Sequence, residues 1–328
     1  MTALLEVRDL TVRFDTEEGV VHAVNGVSFD LAAGEILAVV GESGCGKTVT
    51  AMSIPGLLPS TSAQVQGSIR LEGTELLTMS PKQLRSVRGK QVSVVFQEPM
   101  TSLNPAFTVG RQIREVLQQH EGMSRRAAQA RAVELLDLVR IPAPAKRVDE
   151  YPHQLSGGMR QRVMIAIAVA CSPKVLIADE PTTALDVTIQ AGILDVMRDL
   201  RDRLGTAIIL ITHDLGVVAD IADRVVVMYA GRRVEQAGVH PLFAAPQHPY
   251  TNGLLGAIPQ AHKGVEQVAR QRLTEIPGMV PSLKSDPDVC SFAPRCPRAT
   301  QECHEHRPPL EAVLPEHLVA CHHPGPNP

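Results

Sequence analysis

A glycine-rich octapeptide near the amino terminus constrains this chain more than any other feature. The sequence GESGCGKT occupies residues 41–48, directly after an apolar run at residues 36–40 and before a helix-like stretch. In the order strand, glycine loop and helix, the backbone turns so that successive N–H groups and a helix N-terminus point at an anion. The octapeptide therefore predicts a phosphate-binding loop.

Residue types within the octapeptide suit a nucleotide phosphate that carries a divalent cation. Its glycines let the backbone turn, and so many glycines in one loop destabilise a chain that has no ligand for them. Lys47 adds a mobile cation, and the hydroxyl of Thr48 is a ligand that Mg²⁺ accepts. The predicted nucleotide contacts are Gly41, Ser43, Gly44, Cys45, Gly46, Lys47 and Thr48.

Polar side chains end three further apolar runs. Asp179 and Glu180 follow residues 175–178, His213 follows residues 207–212, and Gln97 follows residues 92–96. The aspartate suits a Mg²⁺ shell, and the glutamate beside it can polarise an attacking water. The imidazole can reach a γ-phosphate, and Gln97 can contact the metal, the water or both. Each is an ordinary loop residue when taken alone, but their joint order with the glycine loop is not ordinary.

A second glycine pair follows a serine at residues 156–158, within the sequence LSGGMRQR at residues 155–162. It precedes another helix-like segment, so Ser156, Gly157 and Gly158 can also present backbone N–H groups to an anion. Such a pair can complete the nucleotide site of another chain.

In this order and spacing the motifs resemble the ATP-binding cassette of ABC transporters over residues 4–260. The resemblance implies bound ATP and Mg²⁺, with Thr48, Gln97 and Asp179 at the metal and Glu180, His213 and Gln97 in catalytic roles. It also implies that Phe14 stacks on adenine. The corresponding motifs are the Walker A loop at 41–48, the Q-loop at Gln97, the signature at 155–159, Walker B at Asp179 and Glu180, the D-loop at 184–186 and the switch His213.

The predicted fold is α/β, a P-loop NTPase cassette with a RecA-like core, an antiparallel β subdomain and a helical subdomain. Residues 4–14 and 20–31 predict antiparallel strands. A helical insertion at about 98–165 shows helical periodicity at 108–120 and 124–140, interrupted by Pro142 and Pro144. Strands at 175–179, 207–212 and 224–229 alternate with helices from Thr188 and Leu215, which predicts a largely parallel, covered sheet.

Composition favours a compact protein of the cytosol or of the cytosolic face of a membrane. No run approaches the roughly 18 apolar residues of a membrane span, and the first residues lack a secretory apolar core. A net charge of -3 argues against nucleic-acid binding through bulk charge.

The composition changes near residue 240, which predicts a cassette at 1–240 and a C-terminal extension at 241–328. The extension holds 15 of the 25 prolines and a lobe at 285–323 with few large apolar residues. A lobe of this size needs a metal, a disulfide or a host surface. It also holds four of the six cysteines, namely Cys290, Cys296, Cys303 and Cys321.

The four cysteines are candidate metal ligands, whereas Cys45 and Cys171 are not. A cytosolic ATPase disfavours disulfides, and the close C-x₂₋₄-C pairs typical of zinc are absent. Intervening gaps of five, six and seventeen residues therefore favour an iron-sulfur cluster, with zinc as the alternative. We expect this lobe to be structural or to dock a partner, because it lies beyond the cassette and none of the hydrolytic motifs needs it.

The C-terminal sequences HPYTNGLLGAIP at 248–259 and CSFAPRCPRATQEC at 290–303 resemble the extension of dipeptide and oligopeptide importer ATPases. In that subfamily the four cysteines imply a [4Fe-4S] cluster. Met159 stands where the signature usually has glutamine, so a polar contact from that side chain is lost. The phosphate contacts expected from Ser156 and from the backbone of the glycines do not depend on that side chain.

The resemblance implies an ATP-hydrolysing subunit at the cytoplasmic face of the cell membrane that powers peptide uptake. One cassette must pair with a second, which the subfamily implies is a different chain. The other implied partners are two transmembrane permeases and an extracytoplasmic substrate-binding protein, with no nucleic acid. Nickel chelates or glutathione are alternative cargoes. A soluble ABC ATPase of ribosomes or DNA is disfavoured, because residues 47–156 are too few for the long coiled coil of repair-type relatives.

Overall fold

The computed structural model describes residues 3–98, 102–183, 185–257, 276–281 and 283–325, and it has the predicted α/β architecture. Twelve strands lie in two sheets within these residues. The strands are β1 Leu5–Thr16, β2 Gly19–Leu31, β3 Ile36–Val40, β4 Ala63–Leu71, β5 Thr74–Glu75, β6 Val92–Val95, β7 Val175–Asp179, β8 Ala207–Ile211, β9 Arg224–Tyr229, β10 Arg232–Gly238, β11 Glu311–Leu314 and β12 His317–Val319.

The central sheet brings the predicted motifs to one edge. Its order is β11-β12-β10-β9-β3-β8-β7-β6, and the five strands from β9 to β6 are parallel. Every residue of β3, β7 and β8 is buried, as expected for parallel strands covered on both faces. Asp179 and Val39 both pair with Ile211, so the segments after β3, β7 and β8 emerge side by side. Ligands of parallel α/β sheets bind beyond this carboxyl edge.

The second sheet is antiparallel, with the order β2-β1-β4-β5. The pairing of β1 with β2 agrees with the predicted strands at 4–14 and 20–31. Strands β4 and β5 were not predicted, and β4 forms the far side of β1. A buried apolar cluster that includes Leu5, Val24 and Ile69 of this sheet and Val39 and Ile209 of the central sheet packs the two sheets together.

Helices fill the intervals between the strands, and their starts follow from capping residues. Thr108 and Ser124 accept hydrogen bonds from the N–H groups of Arg111 and Ala127, so the two predicted helices of the insertion begin one residue later. The helices are α1 Lys47–Ser53, α2 Pro81–Val87, α3 Val109–Glu121, α4 Arg125–Leu138, α5 Pro144–Arg147, α6 Gly157–Ala168, α7 Val187–Leu204, α8 Leu215–Ile221, α9 Val239–Ala244, α10 Pro249–Gly256 and α11 Gln301–Glu305, with 3₁₀ turns at Pro152–Gln154 and Ala293–Arg295.

The C-terminal extension returns to the central sheet instead of building a separate core. Strand β12 pairs with β10, which lies before residue 240. The carboxylate of Glu235 on β10 is fully buried and accepts hydrogen bonds from the N–H groups of Gln247 and His248, and it also contacts His317 Nε2 at 2.6 Å. The buried carboxylate is therefore well supplied with partners. A metal, a disulfide or a host surface was expected to stabilise the lobe. The structure shows a host surface, which is strand β10 of the central sheet.

Candidate nucleotide and cysteine sites

The phosphate loop leaves no room for side chains at two of its glycines. Gly41 has φ +150°, and a Cβ there would lie 2.2 Å from the carbonyl oxygen of Met228. Gly46 has φ +96°, and its Cβ would lie 2.4 Å from the carbonyl oxygen of Ala23. Both contacts are to backbone, which cannot rotate away. These glycines are thus required by the close approach of β9 and β2 as well as by the turn.

Lys47 is buried under the loop that it belongs to. Its Nζ donates to the carbonyl oxygens of Gly41 at 2.7 Å and Glu42 at 2.9 Å. The thiol of Cys45 lies 3.8 Å from the same nitrogen, and burial raises the pKa of this thiol. Cys45 is therefore a neutral neighbour of the lysine. Ser43 and Gly44 are exposed at the turn of the loop.

Thr48 and Asp179 lie together at the carboxyl edge of the sheet. The hydroxyl of Thr48 donates to Asp179 Oδ1 at 3.2 Å. Burial raises the pKa of Asp179, and the charge of Glu180 raises it further, against an opposing hydrogen bond from Thr48. A cation nearby would reverse this shift. A hydroxyl and a carboxylate side by side are oxygen donors of the kind that Mg²⁺ prefers.

Glu180 is the point on which the other predicted catalytic residues converge. Gln97 Nε2 donates to Glu180 Oε2 at 2.8 Å, and Thr183 donates to the same oxygen at 2.9 Å. His213 Nδ1 lies 3.1 Å from Glu180 Oε1. Glu180 itself has φ +46°, a left-handed conformation that is uncommon for a residue with a side chain and is often found at functional sites.

The environment of Glu180 keeps its carboxylate ionised. Burial raises its pKa, but hydrogen bonds from His213 and Thr183 and the charge of Lys47 outweigh burial, so the pKa lies below its ordinary value. Thr183 was not singled out from the sequence. Its spacing of three residues from Glu180 is compatible with any turn and carries no specific signal.

The signature segment provides the N-cap of helix α6. Ser156 accepts a hydrogen bond from the N–H group of Met159 at 3.3 Å, and both Ser156 and Gly157 are exposed. Gly158 is buried, and a Cβ there would lie 2.5 Å from Ile189 Cγ2 of α7. Within the described part of the chain, no hydrogen bond or ion pair joins these three residues to residues 41–48.

Phe14 and Ala184 are two further residues of the predicted site, and the structure describes the first of them. Phe14 stands on β1 opposite Val21 and Ala63, is half-buried, and packs against the cluster between the two sheets. Its role in stacking on adenine stays a prediction. Of the predicted D-loop, Ala184 lies outside the described residues.

The cysteine-rich lobe lies beyond the cassette in the sequence, but in the structure it contacts the phosphate loop. Arg295 of the lobe forms a double hydrogen bond with the carboxylate of Glu42, at 2.6 and 3.0 Å, and Tyr250 of the extension accepts a hydrogen bond from the Glu42 N–H at 2.8 Å. Arg295 and Glu42 are 253 positions apart in the chain. No local sequence pattern could have revealed this contact.

The four cysteines of the lobe line one small cavity, together with His248, His322 and His323. None of the six cysteines forms a disulfide. No group of three or more His, Cys, Asp or Glu side chains among the described residues has the geometry to hold a single metal ion. Burial and the proximity of Cys290 and Cys296 raise the pKa of Cys321 to about 11, with the N–H of His323 opposing them.

Comparison with known proteins identifies the class of this cassette. Residues 24–183 match the ABC transporter family, and residues 234–303 match the family described as oligopeptide/dipeptide transporter, C-terminal region. A dimeric bacterial ABC transporter cassette is 26% identical with a TM-score of 0.64, over 72% of this chain and 98% of that one. The same cassette solved with ADP and Pi gives the same TM-score.

Full-length relatives narrow the class. The chain is 55% identical to a probable peptide ABC transporter ATP-binding protein of Sinorhizobium fredii, over 97% of this chain and 94% of the relative. It is 52% identical to the oligopeptide transport ATP-binding protein OppD of Bacillus subtilis, over 97% and 88%. The chain belongs to the ATP-binding proteins of ABC transporters, and within them to the oligopeptide/dipeptide type. Among the described residues, no helix is both long and apolar enough to cross a membrane.

Proposed function

We propose that this chain is the ATP-hydrolysing subunit of an ABC importer that takes up dipeptides or oligopeptides. The observation that carries the ATPase assignment is the convergence of Gln97, Thr183 and His213 on Glu180, next to Asp179 and the phosphate loop. The peptide assignment is supported by the match of the C-terminal region and by the names of the relatives.

In this proposal each side chain has a role that its surroundings support. Lys47 and the backbone of the loop bind the phosphates, and Thr48, Asp179 and Gln97 would hold Mg²⁺, which would neutralise phosphate charge. Glu180, kept ionised by its neighbours, accepts a proton from the attacking water. His213 contacts the γ-phosphate and stays within reach of Glu180. Phe14 stacks on adenine.

A second cassette completes the site. Ser156 and Gly157 are exposed, and in the described part of the chain they form no hydrogen bond or ion pair with its own phosphate loop, which suits donors offered across an interface. We infer pairing with a second, different ATPase chain and with two transmembrane permeases that receive substrate from an extracytoplasmic binding protein. The chain would lie peripherally at the cytoplasmic face of the membrane. The division into a cassette at 1–240 and an extension at 241–328 belongs to the same proposal.

Uptake of labelled peptide tests the function directly. In cells that lack this chain, uptake of labelled dipeptides and oligopeptides should fall to background, and the wild-type chain should restore it. Glu180→Gln should not restore it. Restored uptake of a nickel chelate or of glutathione, without any effect on peptides, would reassign the cargo and leave the ATPase assignment intact. ATPase activity with no transport defect of any kind would favour a soluble, non-transport protein.

The same proposal includes a [4Fe-4S] cluster on Cys290, Cys296, Cys303 and Cys321. Their common cavity supports it, and the donor set fits because thiolates are the usual ligands of such clusters. A single zinc ion draws its four ligands into one tight shell, whereas a cluster bonds each thiolate to a different iron and holds the sulfurs further apart. Irons would also supply the positive charge that buried thiols need to ionise.

Anaerobic purification tests the cluster. We expect broad absorption near 400 nm and about four irons per chain, and both should be lost in Cys296→Ser and Cys303→Ser. Cys171→Ser is the matched control, because Cys171 lies outside the cavity and should keep the iron. Stoichiometric zinc without iron would replace the cluster by a zinc site. Four reactive thiols with no metal would reject both.

A further inference from the structure

Arg295 reaches from the cysteine-rich lobe into the phosphate loop. Its Nη1 and Nη2 donate to Oε2 and Oε1 of Glu42 at 2.6 and 3.0 Å, a parallel two-bond arrangement that fixes both groups in one plane. The arginine side chain is only 5% exposed and that of Glu42 is 29% exposed. A partly buried ion pair of this kind is screened much less by salt than a surface pair.

The remaining donors of Arg295 are also engaged, so its orientation is fixed. Its Nε donates to the carbonyl oxygen of Pro277 at 2.9 Å, and Nη2 donates to that of Ile276 at 3.2 Å. Nη1 lies 3.4 Å from the hydroxyl of Tyr229, the last residue of β9. A lysine lacks the planar guanidinium group and could not make all of these hydrogen bonds at once.

Glu42 is held at each of its polar groups. Its N–H donates to the Tyr250 hydroxyl at 2.8 Å, its carboxylate accepts from Arg295, and its carbonyl oxygen accepts from Lys47 Nζ at 2.9 Å. Two of these three partners come from the C-terminal extension. The third is the lysine that the phosphate loop offers to a nucleotide. The extension therefore sets the backbone position of Glu42, whose carbonyl oxygen is hydrogen-bonded to that lysine.

We propose that Arg295 is a positioning residue for nucleotide binding, because it fixes Glu42 and thereby holds the phosphate loop in the conformation that accepts a triphosphate. The proposal rests on the assignment of residues 41–48 as the phosphate loop, but not on the transported cargo or on the cluster. Arg295 directly precedes Cys296, so this contact joins the cysteine-rich lobe to the phosphate loop.

Nucleotide affinity of the purified full-length chain tests the proposal. Arg295→Met keeps the apolar stem and removes the fork, and it should raise the Kd of a fluorescent ATP analogue about 10-fold, the effect of one hydrogen bond to a charged group. Arg295→Lys should recover part of the loss. In the assembled ATPase the KM for ATP should rise by the same factor, with kcat changed less than about twofold.

Arg298→Met is the matched control within the same lobe. Arg298 lies two residues beyond Cys296 and donates to the carbonyl oxygen of Gly325, far along the chain from the phosphate loop. Its removal disturbs the lobe without touching Glu42, so the Kd should stay within about twofold of wild type. An equal loss in Arg298→Met would overturn the proposal, because it would trace the effect to general disorder of the lobe.

A double-mutant cycle with Glu42→Gln identifies the contact. If Arg295 acts through Glu42, the double variant should lose no more affinity than Arg295→Met alone, whereas multiplied losses would overturn the proposal. Should Arg295→Met not fold, Glu42→Gln carries the test by itself, and an unchanged Kd there would be decisive against it. Lys47→Ala serves as the reference for the loop: retained affinity in that variant would refute the loop assignment and the proposal with it.

Discussion

The phosphate loop and the signature segment are both glycine-rich turns that lead into a helix, but their surroundings differ completely. In the phosphate loop, Gly41 and Gly46 press against backbone of other strands, and Lys47 is buried. In the signature segment, Ser156 and Gly157 are exposed, and among the described residues Ser156 forms its hydrogen bonds within its own helix. One turn is locked into the chain, while the other is presented to solvent.

This difference supports the proposal that a complete nucleotide site needs two chains. The turn at residues 41–48 has Lys47, Thr48 and Asp179 around it, the side chains that we propose bind phosphate and Mg²⁺. The turn at residues 156–158 offers exposed backbone at the start of α6, which we propose serves a nucleotide bound by another chain.

The largest effect should come from replacing Glu180, the proposed catalytic carboxylate beside the phosphate loop. Glu180→Gln should keep ATP binding and slow hydrolysis in the assembled complex by about 10²–10⁴-fold, the range for losing a general base. Steady-state turnover under saturating ATP measures this. Lys47→Ala provides the contrast, because it should weaken binding itself. Near-normal turnover by Glu180→Gln would remove Glu180 from the mechanism.

A smaller effect, on turnover of the assembled pair, should come from a substitution in the exposed signature segment. Ser156→Arg blocks the backbone donors of the signature and should reduce turnover of the assembled pair by about 10- to 100-fold, as expected for hydrogen bonds to a charged group. Its own ATP affinity should be unchanged. Ser124→Arg is the control, because Ser124 caps α4 in the same way but lies outside the signature. A large loss of the variant's own ATP binding would contradict action across the interface.

The smallest effect separates the two glycines of the signature. Gly158→Ala should lower the free energy of unfolding by about 1–3 kcal/mol, because its Cβ would lie 2.5 Å from Ile189. Gly157→Ala should change it by less than about 1 kcal/mol, because its Cβ would meet only Leu185 at 4.0 Å. Chemical denaturation of the isolated chain measures both. Equal destabilisation would mean that both glycines serve packing alone.

Much of the fold and of the nucleotide site could be predicted because its signals are local. The loop at 41–48 carries its glycines, lysine and threonine in one stretch, and the helix starts after Thr108 and Ser124 follow from residues three positions apart. The apolar runs of β3, β7 and β8 are continuous, since parallel strands are covered on both faces.

Other features depend on topology alone. Strands β4, β5 and β10 to β12 lack long apolar runs and were not predicted, since their pairing partners, not their composition, make them strands. The burial of Gly158 depends on how α7 crosses α6, which the LSGGM sequence does not encode. Four cysteines could be counted in the sequence, but only the folded lobe places them around one cavity.

The sequence alone determined the class of this protein, because a phosphate loop, its carboxylates and a signature are patterns of neighbouring residues with fixed chemistry. Only the tertiary structure decided how the extension meets the cassette. Arg295 and Glu42 are 253 positions apart, and the paired residues Glu235 of β10 and Val319 of β12 are 84 positions apart. Such contacts follow from the order of strands in the sheet and from a shared buried interior, where an arginine and a carboxylate need each other to offset their loss of water.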